Sequence, residues 1–295
     1  MKHRASVGGR VFDVFNMIFM VLIGLICIYP FYYTIIGSFS SAKEMTLVVL
    51  WPRGLTVATY KQIFALPGLF QSVLISVSRT VLGTALTVYF SGMLGYLMTK
   101  PMRFRKFVYR FCVVTMYFSA GLVPWYLVMR MYGLHNSYLL YILPSAIGMF
   151  YVILIKTYVE SLPASLEESA AIDGAGFFTV FNRIVFPLCK PILATVAVYS
   201  AVGQWNSWQD NYFLVDSKGL MTLSLQLYNV LHRAQALATQ MMISTGTAST
   251  PTASPISPVT VQMAMVVISI VPIMLVYPFL QRFFTKGIMI GAVKG

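Results

Sequence analysis

Six apolar runs, each long enough to cross a bilayer, decide most of what this chain can fold into. They fall at about residues 12–38, 70–99, 107–131, 138–159, 191–214 and 261–284. A helix of about 20 apolar residues crosses a hydrocarbon core about 30 Å thick. In that core every backbone N–H and C=O must be satisfied within the protein, so only helices and closed barrels survive. Barrel strands alternate in polarity over about ten residues, and these runs are apolar nearly all round. The expectation is an all-α, polytopic membrane protein with six transmembrane helices, one domain over residues 1–295. Composition agrees: 58% hydrophobic, 10% charged, mean hydropathy +0.76, against about 45–50% and 25% in a soluble domain. The first run, Val14 to Ile36, is too long for a signal-peptide core and has no A-x-A cleavage site, so it reads as a retained helix.

The net charge is +13. In a water-soluble protein that would suggest nucleic acid. Here the Lys and Arg sit in short loops beside apolar spans, so nucleic acid is not expected. Of the 21 basic residues, fourteen fall on one set of loops, among them Lys100, Arg105, Lys156, Arg183 and Lys286. The other seven, among them Lys61 and Lys218, fall on or near the opposite set. By the positive-inside rule both termini and residues 160–191 are cytoplasmic, an N-in/C-in arrangement. Arg79 lies about ten residues into the second run. A charge at mid-helix costs at least about 2.5–3.5 kcal/mol. Either it faces a polar cavity or snorkels outward, or the span begins near Val77. Two outer segments are long. Residues 40–68 mix polar and apolar positions, and residues 215–260 begin with an amphipathic stretch, Leu223 to Ala238, and end in a Ser/Thr/Pro-rich run.

Chemistry is sparse. No G-x-x-x-x-G-K-[ST] phosphate loop occurs. His3, His135 and His232 are far apart, and Cys27, Cys112 and Cys189 have no C-x-x-C partner, so neither a metal site nor a disulfide framework is indicated. The chain is not expected to be an enzyme, and no cofactor of its own is expected.

Residues 160–191, ESLPASLEESAAIDGAGFFTVFNRIVFPLCKP, form a polar island between apolar runs. Pro163 suits a first helical turn, and Ser165-x-x-Glu168 is a capping box. Ala170 and Ala171 continue a short helix that Gly174 can end by taking positive φ. Phe177 to Val185 can form a second helix, closed by Pro187 and Pro191. Such a pair is either a knob for a partner's cleft or an amphipathic hairpin on lipid headgroups. Further on, Trp205, Trp208 and Tyr212 recur at helical spacing with Asn206 and Gln209 beside them. Aromatic faces and amides suit sugars, and they also suit an interfacial belt.

Glu168-Ser169-Ala170, Gly174 and Ile184-Val185-Phe186-Pro187 follow the spacing E-A-A-x3-G-x9-I-x-L-P. This resembles the cytoplasmic coupling loop of permease subunits in binding-protein-dependent ABC importers, with Ser169 for Ala and Phe186 for Leu as departures. Asp173-Gly174-Ala175, Gln204-Trp205-Asn206 and the ending Tyr277-Pro278-Phe279 … Lys286 to Gly295 look like the maltose-permease-like carbohydrate branch. The nearest type within it serves complex oligosaccharides and polysaccharide fragments, alginate importers included. The resemblance implies a type I importer permease fold in the bacterial cytoplasmic (inner) membrane. It implies a second homologous permease, two ATP-binding subunits that hold ATP and magnesium, and an extracytoplasmic solute-binding protein. The substrate would be a carbohydrate moved by alternating access. In the loop at 160–191 it gives Glu167, Glu168, Ala170, Ala171, Asp173, Gly174, Phe177, Phe178 and Pro187 a role in coupling to the ATPases. The tail at 285–295, with Gly291, Lys294 and Gly295, would reach into the ATPase pair. Apart from the resemblance, the spacing of Trp205, Asn206, Trp208, Gln209 and Tyr212 makes them the candidates for the substrate path, with the interfacial belt as the other reading. The rival readings are a secondary transporter, which needs carboxylates in its spans where only Asp13 and Asp210 are candidates, and a membrane scaffold.

Overall fold

The computed structural model describes residues 7–41, 51, 54–245 and 258–292, and every regular element among them is helical. The chain divides into two compact units, Met1–Leu66 with Asn229–Val271 and Pro67–Tyr228 with Pro272–Gly295.

In the first unit, α1 (Val7–Ser38) is apolar all round and stays exposed over its membrane-length stretch. That is the pattern of a helix whose surroundings are as apolar as itself. Its end meets α2 (Ala58–Phe64), where Ser38 Oγ and the Tyr60 hydroxyl lie 2.7 Å apart.

The second unit is organised by α3 (Leu69–Leu97), which packs on α6 (Met149–Val159) and α9 (Lys190–Asn206). The reason is a stripe of small residues at intervals of four or seven. Ser72, Ser76, Gly83, Thr87, Ser91 and Gly95 are all buried on one face. Small side chains let helix backbones approach closely in a membrane. At Gly95 a Cβ would lie 3.0 Å from the Val152 carbonyl oxygen, so any larger residue would force the two helices apart by a few tenths of an ångström.

The other elements of this unit are α4 (Arg105–Tyr117), α5 (Leu122–Met131), a 3-10 turn at Tyr138–Tyr141, α7 (Ser165–Ile172), α8 (Phe177–Leu188) and α10 (Gln209–Leu214). α11 (Leu223–Thr245) and α12 (Pro258–Ala292) complete the helices.

Three of the expected spans are continuous helices, and the other three are interrupted. The run at 107–131 breaks between α4 and α5 with a bend of 118°, because Gly121 takes φ +83 at the start of α5. The run at 138–159 keeps only the 11 residues of α6 as α-helix. Pro144 and Gly148 interrupt what precedes it, since proline has no N–H to donate. The run at 191–214 breaks at Ser207. Non-helical backbone at membrane depth must find partners inside the protein, and α3 supplies them. Ser91 Oγ accepts from Gly148 N at 3.1 Å, and Thr87 Oγ1 donates to the Ser145 carbonyl at 2.7 Å.

The amphipathic stretch from Leu223 is helical, and it runs on to Thr245. Gly291 falls in the last turn of α12. Lys294, Gly295 and most of the Ser/Thr/Pro-rich run lie outside the described residues.

Candidate functional site

The polar island folds as two helices at the end of the second unit. Glu167 N and Glu168 N donate to the Ala164 carbonyl, and Leu166 N to that of Pro163. The expected capping box is not formed: Ala164 is the N-cap, without a side-chain acceptor, so Ser165 is already helical. Pro163 accordingly lies just outside the helix. Gly174 takes φ +78, with Gly174 N donating to Ala171 O and Ala175 N to Ala170 O. These two bonds make a Schellman cap, which favours glycine at the left-handed position.

The second helix does not close at Pro187. Residues Phe181–Val185 widen into a π turn, with Phe186 N bonded to Phe181 O, so the chain passes the missing proline donor. α8 then ends at Leu188 and bends by 82° into α9. Pro191 lies in the first turn of α9, where its lack of an N–H costs nothing.

The expected coupling residues divide into two faces. Ala170 is buried beside Val180, Phe181 and Val185 in a core that includes Tyr96 of α3 and Leu193 and Val196 of α9. Phe177 stacks on Tyr96 with ring centroids 4.9 Å apart. Glu167 accepts from the Tyr96 hydroxyl at 3.2 Å and pairs with Lys100. Partial burial lowers the Lys100 ammonium below the ordinary lysine value. The Glu167 carboxylate and the Tyr96 ring, 4.3 Å away, favour its charged form. Glu168, Ala171, Asp173, Gly174, Phe178 and Pro187 are exposed. Ile172 is 86% exposed, an aliphatic side chain at the tip with nothing over it.

At the other end of the same helices lies a cavity of about 270 Å³, lined by residues of α3, the 138–148 segment, α9 and α10. Arg79 is its most buried charge, 2% exposed. Its Nη1 donates to Asp210 Oδ1 at 3.2 Å, and Nη2 donates to Oδ2. Its Nε donates to Gln204 Oε1 at 3.2 Å, and its Cζ lies 4.5 Å from the Tyr141 ring centroid. Gln204 Nε2 in turn donates to Ser145 Oγ. The rest of the lining includes Thr87, Trp125, Ser200 and Ser207. A polar wall with aromatic rings can exchange hydrogen bonds with a hydroxylated solute while covering its apolar faces.

The expected path residues do not line this cavity. α9 ends at Asn206, so Trp205, Trp208 and Tyr212 do not share one helical face. The break has a local cause: Asp210 Oδ1 accepts from both Ser207 Oγ and Asn211 N, and Arg79 Nη1 donates to the Ser207 carbonyl. Such side-chain bonds compete with helix continuation. Trp205 is buried, and Trp208 stacks on Tyr228 at 4.2 Å. Asn206, Gln209 and Tyr212 are exposed. The Arg79–Asp210 pair itself went unrecognised in the sequence. The one signal was that each is a charge within or beside an apolar run.

A helical membrane protein with broken spans, a polar cavity at one end of its helices and a two-helix knob at the other has the form of a transport component. The chain matches the family of binding-protein-dependent transport system inner membrane components over residues 91–290 and belongs to it. It is 37% identical to Protein LplC of Bacillus subtilis (strain 168) over 290 residues, 97% of this chain and 96% of that one. It is 34% identical to the polygalacturonan/rhamnogalacturonan transport system permease protein YtcP of the same organism, covering 97% and 99%. Among solved structures it resembles a chain of a bacterial ABC transporter involved in the import of the acidic polysaccharide alginate. The TM-score is 0.80 at 29% identity, over 95% of this chain and 98% of that one.

Proposed function

We propose that this chain moves a carbohydrate, an oligosaccharide or polysaccharide fragment, inward across the cytoplasmic membrane as one permease of an ATP-driven importer. The observation that carries the reading is that the cavity and the knob share helices. α3 holds Arg79 at the cavity and Tyr96 against the knob, and α9 holds Gln204 at one end and Leu193 in the knob's core. Packed cores transmit displacement rather than absorb it. A push on the exposed face, Glu168, Ala171, Ile172, Asp173, Gly174, Phe178 and Pro187, therefore reaches the cavity walls. The similarity to polysaccharide and oligosaccharide permeases supports a sugar as the cargo.

The partners that complete this reading are a second homologous permease, two ATP-binding subunits carrying ATP and magnesium, and an extracytoplasmic solute-binding protein. Glu167, Ala170 and Phe177 hold the knob to the rest of the chain. To Gly291, Lys294 and Gly295 of the tail this reading assigns contact with the ATPase pair. Trp205, Asn206, Trp208, Gln209 and Tyr212 surround the α9–α10 break, where the substrate approaches the cavity.

The test is reconstitution of the assembled complex in proteoliposomes with ATP enclosed. Uptake of labelled oligosaccharide that needs both ATP and the binding protein is the expected result. Flux driven by an ion gradient without ATP would replace this reading with a secondary transporter.

A further inference from the structure

The Arg79–Asp210 pair is anchored on both sides. Each partner has anchors that do not depend on the other. The guanidinium is held by the Gln204 side chain, by the Ser207 carbonyl and by the face of the Tyr141 ring. The carboxylate is held by Ser207 Oγ at 3.2 Å and Asn211 N at 2.8 Å. The Nη1/Nη2 edge, the edge that binds carboxylates in two-pronged fashion, is the part Asp210 occupies. Both side chains line the cavity.

Any buried ion pair needs hydrogen bonds on its spare donors and lone pairs, but one that only ties two helices together does not need those anchors to hold each charge alone. A cation that waits for an anionic ligand does need them, because it must keep its place when its counter-ion leaves. It also needs an internal anion while the cavity is empty, since an uncompensated buried charge is costly.

We propose that Arg79 is the specificity-determining residue for an acidic sugar. A carboxylate on the substrate, as in a uronic acid unit, takes the Nη1/Nη2 edge and displaces Asp210. This rests on the carbohydrate-import reading and names the substrate class that the cavity selects. Asp210 stays anchored on Ser207 and Asn211, close to the incoming carboxylate, and that crowding limits the affinity. A transport site must release what it binds, and the displaced Asp210 favours that release.

The experiment uses the complete importer with its binding protein in proteoliposomes. Its probes are short oligogalacturonides and the same oligosaccharides with their carboxyls methyl-esterified. Each variant is compared with wild type on each probe, so the preference of the binding protein cancels. Arg79→Gln lowers kcat/KM for the acidic probe about tenfold or more, the loss of one good charged contact, and leaves the ester within about twofold. Arg79→Lys keeps much of the preference for the acidic probe. Asp210→Asn does the opposite of Arg79→Gln, lowering KM for the acidic probe and lowering kcat with it. Equal losses on both probes in Arg79→Gln and Asp210→Asn overturn the proposal, because a simple clamp behaves that way. Should wild type import the ester and not the acid, the proposal falls and the carbohydrate reading stands. Should wild type import neither while its ATPase is stimulated by a neutral sugar, the proposal falls alone; stimulation only by a solute that is not a carbohydrate overturns the carbohydrate reading as well. If Arg79→Gln does not assemble, Arg79→Lys and Asp210→Asn decide the matter.

Discussion

Gly83 lies directly beneath the amide of Gln204: a Cβ at position 83 would sit 2.5 Å from Nε2. That amide is fixed on both sides, by Arg79 at Oε1 and by Ser145 at Nε2. It cannot move aside without giving up one of those bonds. Gly83→Ala is expected to displace Gln204, lower substrate-stimulated uptake severalfold and leave the complex assembled. Uptake kinetics beside a size-exclusion profile check this. Wild-type kinetics would mean that the amide orientation is immaterial to transport.

At the knob, Gly174→Val places a β-branched side chain at φ +78. The strain is about 1–3 kcal/mol, applied where the exposed face turns. Stimulated ATP hydrolysis by the complex should fall sharply, with α7 and α8 still packed on Tyr96. Gly176→Ala is the control, because Gly176 has negative φ and open space around it. Loss of activity in both variants alike would point to a general intolerance of the loop.

The Lys100–Glu167 pair is about one-quarter exposed on each side, so its own worth is about 1 kcal/mol or less. Its effect should appear in coupling and only slightly in stability. Lys100→Met and Glu167→Gln should each shift the melting temperature slightly and reduce the ratio of sugar imported to ATP consumed. The double variant should cost no more than either single one. Additive losses would show that the two residues act separately.

Topology follows from charge and is open to direct chemistry. In a background lacking Cys27, Cys112 and Cys189, a cysteine at Ser217 should react with a membrane-impermeant maleimide added outside. A cysteine at Ser165 should react only after the membrane is opened. The reverse pattern inverts the orientation.

Different parts of this protein were legible to different degrees, and the reasons are physical. The two-helix island was legible because its signals are local: a helix-forming stretch, a glycine for positive φ at position 174 and a change of polarity at both ends. Leu223 onward was legible because its apolar residues keep helical spacing. The broken spans were not, because apolar length says nothing of continuity. Ser207 ends α9 by donating to Asp210 and accepting from Arg79, and no glycine or proline marks the place. The pair of Arg79 with Asp210 joins positions 131 residues apart. In a helix apolar nearly all round, no periodicity tells which way a lone charge points.

The hydroxyl-bearing stripe of α3 also bears on how the protein is made. Of the three helices apolar and long enough to cross a membrane among the described residues this is the least apolar, and it carries a full charge. Its Ser76 accepts from Leu223 N, its Ser91 from Gly148 N, and its Arg79 is answered by Gln204, Ser207 and Asp210. All of these partners follow it in the chain. During synthesis, therefore, α3 enters the membrane before anything exists to satisfy it. It gains its last partner only when residue 223 has emerged from the ribosome. A nascent chain halted before α9 would present Arg79 to lipid or to the translocation machinery without Gln204, Ser207 or Asp210 to answer it.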